Sequence, residues 1–238
     1  WEKWLKINDD VLREQSLREL VHFAIKGNNF NFLLKKLPNL KNLAKYWRPW
    51  QAEMELIYAY IYLKLGQKIK ARQWLNWALN HSFQNKGEKS LVIVHEESLF
   101  IKTVIELISV ENKKAFLNLK RLLEDYSSSP RLSDYYFWYG VLLYEIEEKP
   151  LEAIMAIRQV EHEGERDDDR WYLLGKINHD QQKWRPAIFS FKSLEKKHPK
   201  SIFLAEGLYL KAHAYYEQKL YNSALETLND LSSMFLEQ

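Results

Sequence analysis

The 238-residue sequence contains no cysteine, which excludes disulfides, thiol chemistry and Cys-type zinc sites. It has seven glycines, and the closest two, Gly164 and Gly175, stand eleven residues apart. A phosphate-cradling loop needs several glycines within about six residues so that bare backbone can approach the anion. P-loop and dinucleotide-binding functions are therefore excluded. No long apolar run is present either. The most apolar stretch, Tyr135 to Tyr144, has ten residues, against the roughly 20 a bilayer-spanning helix requires. Charge of one sign is also lacking: 35 basic and 32 acidic residues leave a net charge of +3. That balance gives no argument for a nucleic-acid or membrane partner.

Apolar residues make up 46% of the chain, and nine Trp and fourteen Tyr contribute to it. Such content is ample for a buried core and is foreign to disordered chains. No signal peptide is visible, and the chain begins at Trp1 without a Met. A cleaved signal, an anchor or a trimmed domain upstream stays open. The compartment stays open too.

Strand-type alternation occurs only at Leu91 to Val94. Elsewhere apolar residues recur at i, i+3, i+4 and i+7, which predicts an all-helical chain. Asp10 and Gly27 bracket one predicted helix. Short helices follow over 30–37 and 40–46, with longer ones over 49–66 and 68–81. After the loop Ser82 to Ser90, helices are predicted over 91–109, 113–126, 134–147, 151–162, 170–180, 185–197, 202–217 and 222–235.

Self-similarity organises these helices. Ala71, Ala115, Ala153, Ala187 and Ala224 lie 44, 38, 34 and 37 residues apart, each opening a helix. An apolar residue follows four positions later (Leu75, Leu119, Ile157, Phe191, Leu228), and another three beyond that (Ala78, Leu122, Val160, Leu194, Leu231). The unit from Asp168 to Ser201 adds Trp171, Leu174, Gly175 and Pro199. Another carries Tyr62, Leu65 and Gly66, and the last carries Leu208 and Tyr215. These residues resemble the tetratricopeptide repeat, a helix–turn–helix of 34 residues. Asn178 and Leu194 depart from the pattern, where Tyr and Ala are usual. Gly140 lies thirteen rather than twelve residues before Ala153, and Thr103 replaces the glycine of its unit.

The resemblance implies a right-handed α-α superhelix of about five hairpins over 49–238, with repeats near 52–81, 96–126, 133–163, 168–201 and 205–236. Residues 1–48 are expected to form an irregular helical cap. Gly175 and Ala187 are small, on this reading, because paired helices approach closely there.

First helices of such hairpins line a concave groove. The register assigns Tyr60, Phe137, Tyr144, Tyr172, Lys176, His179, Tyr209, His213 and Tyr216 to a partner-binding groove. Rings supply contact area at low entropic cost, and polar tips supply hydrogen bonds. The Lys/Asn clamp with which some relatives hold acidic chaperone tails is absent. The expected function is a non-catalytic scaffold for a protein or peptide. The rival is a ligand-gated receptor for a small peptide or cell-wall fragment. The segment Lys196 to Leu228, with Pro199 and Ser201 before its first helix, resembles repeats of bacterial cell-envelope adaptors such as outer-membrane assembly lipoproteins. Its Gly207 stands where Ala is usual.

No catalytic residue, cofactor or metal is predicted. His95-Glu96-Glu97 lacks the second His of a zinc protease, and no Gly-x-Ser-x-Gly occurs. The acidic run Glu161 to Arg170 reads as a solvated turn, with Asp168 or Asp169 capping the next helix. RNA reading by helical repeats would need a basic inner face. The inward positions include Asp180, Glu217, Glu145 and Glu53 instead.

Overall fold

The computed structural model describes residues 48–83 and 89–236, with isolated positions 27, 30, 34 and 35. The predicted cap and its helices lie outside these residues, apart from those isolated positions. The described residues form ten helices and no strand. They are α1 Arg48–Lys64, α2 Lys68–Phe83, α3 Lys89–Ile108, α4 Asn112–Asp125, α5 Leu132–Glu145, α6 Pro150–Ile157, α7 Asp167–Asp180, α8 Trp184–Lys197, α9 Leu204–Glu217 and α10 Tyr221–Leu236. The alternating stretch Leu91 to Val94 is helical, within α3. The chain divides into two compact units, Trp1–Glu111 and Asn112–Gln238. The division falls inside the repeat predicted over 96–126.

All five repeat alanines are buried, and so are Leu75, Leu119, Ile157 and Phe191. The residue twelve positions before each alanine is small or short: Ala59, Thr103, Gly175 and Ala212, with Gly140 at thirteen. A Cβ on Gly175 would lie 2.4 Å from Phe191 Cε1, and one on Gly140 would lie 2.5 Å from Ile157 Cδ1. The close approach expected at Gly175 is therefore present, and Gly140 repeats it one hairpin earlier.

The register of Gly66 needs correction. It does not occupy the helix-packing position of Gly175; Ala59 does. Gly66 lies five residues before Ala71, in the turn between α1 and α2, with φ +73° and open space where a Cβ would be. The same left-handed position recurs five residues before every other repeat alanine, at Val110, Glu148, Gln182 and Lys219. Four of these turns share one hydrogen-bond pattern. At Gly66, its N–H donates to Leu63 O, and the next N–H, of Gln67, donates to Tyr62 O. Val110/Glu111, Gln182/Lys183 and Lys219/Leu220 repeat the pair of bonds. This is the Schellman closure, which satisfies carbonyls left open at a helix end. The turn at Glu148 holds the extra residue: the Lys149 N–H reaches Leu143 O, six positions back rather than five. The thirteen-residue spacing from Gly140 to Ala153 is thus absorbed in the turn, leaving the packing contact intact.

Two further expectations change. The helix predicted over 151–162 ends at Ile157, because the Gln159 and Val160 N–H groups bond three residues back and tighten the chain into turns. Val160 is still buried. Neither Asp168 nor Asp169 caps α7; the helix begins at Asp167, and its N-cap, Arg166, makes no side-chain cap bond.

In the first unit, Ala59, Ala71, Leu75 and Ile105 share a core with Trp74, whose ring stacks on Tyr58 at 4.3 Å. Ser82 Oγ lies 3.0 Å from His95 Nδ1, tying α2 to α3. In the second unit, Leu143, Ala153, Ile157, Trp171, Leu174, Ile177, Leu194 and Leu208 form one core drawn from α5 to α9.

Candidate functional site

Turning the small residues of α5, α7 and α9 toward their hairpin partners leaves a second face on each of these helices. Residues at i, i+4, i+7 and i+8 fall along such a face. On α7 these are Tyr172, Lys176, His179 and Asp180; on α9 they are Tyr209, His213, Tyr216 and Glu217. The structure joins the faces through side chains. Tyr144 Oη, on α5, donates to Asp180 Oδ2 on α7. His179 Nε2 lies 2.9 Å from His213 Nδ1, linking α7 to α9. In that bond one ring nitrogen carries the proton and the other accepts it. The far nitrogens face carboxylates: His179 Nδ1 is 3.3 Å from Asp180 Oδ1, and His213 Nε2 is 3.8 Å from Glu217 Oε1. Trp184 sets its ring edge-on to both imidazoles, 5.3 Å from His179 and 5.9 Å from His213.

Tyr172 stacks on Phe203 at 4.7 Å. Burial, and then its hydrogen bond to Glu206, hold its hydroxyl protonated well above the usual tyrosine range. Burial and the Asp180 bond do the same for Tyr144. Both phenols therefore act as donors across this face. Tyr209 and Tyr216 are 57% and 59% exposed, and Lys176 is half-buried.

The remaining predicted positions are not brought into this row. Phe137 is buried in the core beneath the Arg166 guanidinium, 4.8 Å from its ring. Its assignment to an open groove is corrected: on α5 the side carrying Phe137 faces the core. Tyr60 belongs to the first unit, where the Lys64 ammonium lies 5.3 Å from its ring.

Sequence reasoning missed one polar centre. Asp167, expected in a solvated turn, is fully buried. Its Oδ1 accepts from Arg170 Nη1 at 2.8 Å; its Oδ2 accepts from Trp171 Nε1 at 3.2 Å and from His198 Nε2 at 2.9 Å. Burial alone would raise its pKa, but the hydrogen bonds from His198 and Arg170 prevail and hold it below the ordinary carboxylate range. Arg170 Nη2 lies 3.0 Å from His162 Nε2, and Ser201 Oγ donates to Asp168 at 2.8 Å. This centre staples the start of α7 to the turn after α8. Its oxygens are occupied by donors from the protein itself. Among the described residues no group of three His, Asp or Glu side chains is placed to hold a metal ion, and no helix is long and apolar enough to cross a membrane.

No protein-family model matches the chain, and no curated protein matches it. Solved structures do. The C-terminal part of a TPR repeat-containing protein from Cytophaga hutchinsonii is 17% identical, covers 90% of this chain and 79% of its own, and superposes with a TM-score of 0.67. MamA from Desulfovibrio magneticus RS-1 is 14% identical over 79% of this chain and 97% of its own, with a TM-score of 0.64. YrrB, described as a TPR protein with an unusual peptide-binding site, is 15% identical over 80% and 89%, with a TM-score of 0.63. The chain has the tetratricopeptide-repeat fold, an all-α helical repeat.

Proposed function

We propose that the chain is a non-catalytic scaffold that holds a peptide or helix of a partner protein against the face shared by α5, α7 and α9. The observation that carries this reading is the pairing of a fixed row with an open one. Tyr144–Asp180 and His179–His213 lock neighbouring helices together. Beside them, Tyr209 and Tyr216 stay exposed. An exposed ring on a rigid helix gives contact area with little conformational freedom to lose, and its hydroxyl can bond a peptide backbone. The likeness to YrrB, whose description names a peptide-binding site, supports the same class of partner. The resemblance of Lys196 to Leu228 to envelope adaptors supports a setting in bacterial envelope assembly.

The test is affinity capture from the source cell, with the wild-type chain beside a Tyr209→Ala/His213→Ala/Tyr216→Ala variant. The reading expects a protein partner retained by the wild type and lost by the variant, with unchanged helical circular dichroism. A partner retained equally by both would refute it.

A further inference from the structure

The second helices of the hairpins carry a pattern that core packing does not explain. In α4, α6 and α8 the repeat alanines Ala115, Ala153 and Ala187 are buried. Two residues on, a helix has turned about 200° and points away from that contact. Leu117, Met155 and Phe189 occupy this outward position, and they are 61%, 66% and 63% exposed. Leu151, one turn before Met155 on the same side, is exposed as well. Phe189 meets Trp171 edge-on, with ring centroids 6.0 Å apart. Exposed apolar residues scattered singly need no explanation. One at the same register position of three successive hairpins does.

The charges beside these residues are nearly all of one sign. Positions three and four away from a helical residue lie on its own side of the helix. Around Leu117 these are Lys113, Lys114, Lys120 and Arg121. Met155 has Arg158, and Phe189 has Arg185 and Lys192. Each of these cations is exposed, and Glu152 is the one acid at the same spacings. Lys120 also meets Glu124 at 3.9 Å, an exposed pair that water and salt screen. The Lys192 ammonium lies 5.6 Å from the Tyr215 ring. Helix α10, in the same unit, marks the edge of the pattern. Its equivalent position is Glu226, with Asp230 four residues on and no basic residue in the helix. The small net charge of the whole chain conceals this local excess.

Apolar tips flanked by longer cationic side chains fit a surface that is anionic outside and apolar just beneath. At an anionic bilayer the tips enter the boundary between headgroups and acyl chains, while ammonium and guanidinium groups stay at the phosphates. Buried apolar area and attraction to anionic lipid then act together. An acidic protein helix fits less well. Its apolar residues form one continuous stripe, and the apolar groups here stand on three separate helices with cations between them. A fluid lipid surface supplies both chemistries at every point. We propose that the outward side of α4, α6 and α8 binds an anionic membrane surface, with Leu117, Met155 and Phe189 inserting and the flanking cations holding lipid phosphates. This surface shares no residue with the face of α5, α7 and α9, so either reading can fail without the other.

The test is flotation with vesicles of equimolar phosphatidylglycerol and phosphatidylcholine, beside vesicles of phosphatidylcholine alone. Three chains are compared: the wild type, a Leu117→Ser/Met155→Ser/Phe189→Ser variant and a Lys113→Glu/Arg121→Glu/Arg185→Glu variant. Every changed position is exposed, so each variant should melt like the wild type, and that is checked first. Expected is binding of the wild type to the anionic vesicles, weakened about tenfold or more in each variant and on the neutral vesicles (a factor of ten being about 1.4 kcal/mol). A second measurement needs no multiple variant. The sequence has no cysteine, so Phe189→Cys carries a single environment-sensitive dye. That dye should brighten on anionic vesicles, and the same dye on Glu226→Cys should not. A wild type that does not float with anionic vesicles overturns the proposal. Flotation that the serine variant leaves unchanged also overturns it, since charge attraction alone would then be at work, as does equal brightening at both dye positions. A chain that ignores the vesicles, yet binds a synthetic Leu/Glu amphipathic peptide through Phe189, would give the surface to a protein instead.

Discussion

Gly175 and Phe191 are packed so closely that a methyl group on the glycine would overlap the ring, with Cε1 at 2.4 Å and Cδ1 at 2.7 Å. Two effects oppose each other in Gly175→Ala. Alanine favours the helix over glycine by about 1 kcal/mol, while overfilling a packed core costs about 1–3 kcal/mol. Phe191 is fully buried and cannot swing away, so the substitution should lose up to about 2 kcal/mol net. In a Phe191→Leu background the overlap is relieved, and the same change should become neutral or stabilising. Urea denaturation of the four variants measures the coupling; additivity between the two positions would refute the close-contact account.

Val110 adopts φ +59° at the position where the first hairpin has Gly66. A left-handed backbone costs an L-residue about 1–2 kcal/mol, and β-branching makes it worse. The Val110 side chain is exposed, so its removal sacrifices little packing. Val110→Gly should therefore raise stability by about 1 kcal/mol, and Gly66→Val should lower it by a similar amount. The check is the midpoint of urea unfolding at constant m-value. A destabilised Val110→Gly would mean that the valine makes contacts which outweigh its strain.

The legible and illegible parts of this chain divide on how many residues a position needs to declare itself. The repeat alanines declare themselves alone: a tight helix crossing tolerates only small side chains, and Ala71, Ala115, Ala153, Ala187 and Ala224 are all buried. The turns do not, because glycine marks one left-handed position while valine, glutamate, glutamine and lysine occupy the other four. Backbone hydrogen bonds fix those turns whatever the side chain. Phe137 and Tyr209 belong to one residue class, and the repeat register alone points both toward the groove. Only the packing of neighbouring helices determines that the first is buried and the second exposed. Asp167 was hidden for a related reason. It reads as one acid in a run of three, and the partner that explains its burial, His198, lies 31 residues away.

That buried carboxylate sets a pH dependence. Its folded pKa lies below the ordinary value, so the unfolded chain takes up the proton first. Its contribution is fully present above the unfolded pKa of about 3.9 and is lost as pH falls through the folded value. Asp167→Asn leaves the buried Arg170 without its counter-charge and should cost about 3 kcal/mol at pH 7. The stability curves of wild type and variant should converge as pH drops below about 4. A gap that stays constant down to acid pH would show that shape rather than charge sets the role of Asp167.

The face of α5, α7 and α9 can be separated from the core beneath it by stability alone. Phe137 lies within the core cluster with Leu143, Ile157 and Trp171, so Phe137→Ala removes packed volume that its neighbours cannot refill; about 3–5 kcal/mol should be lost. Tyr209 is largely exposed, and Tyr209→Ala should shift stability by no more than about 0.5 kcal/mol. Tyr172 stands between them. It is half-buried and stacked on Phe203, so Tyr172→Ala should lose an intermediate amount, while Tyr172→Phe keeps the stack and removes only the hydroxyl that meets Glu206. The order Phe137, Tyr172, Tyr209 in thermal unfolding is the expected result. If Tyr209→Ala proved as costly as Phe137→Ala, the exposed tyrosines would be supporting the fold and would not be free to hold a partner.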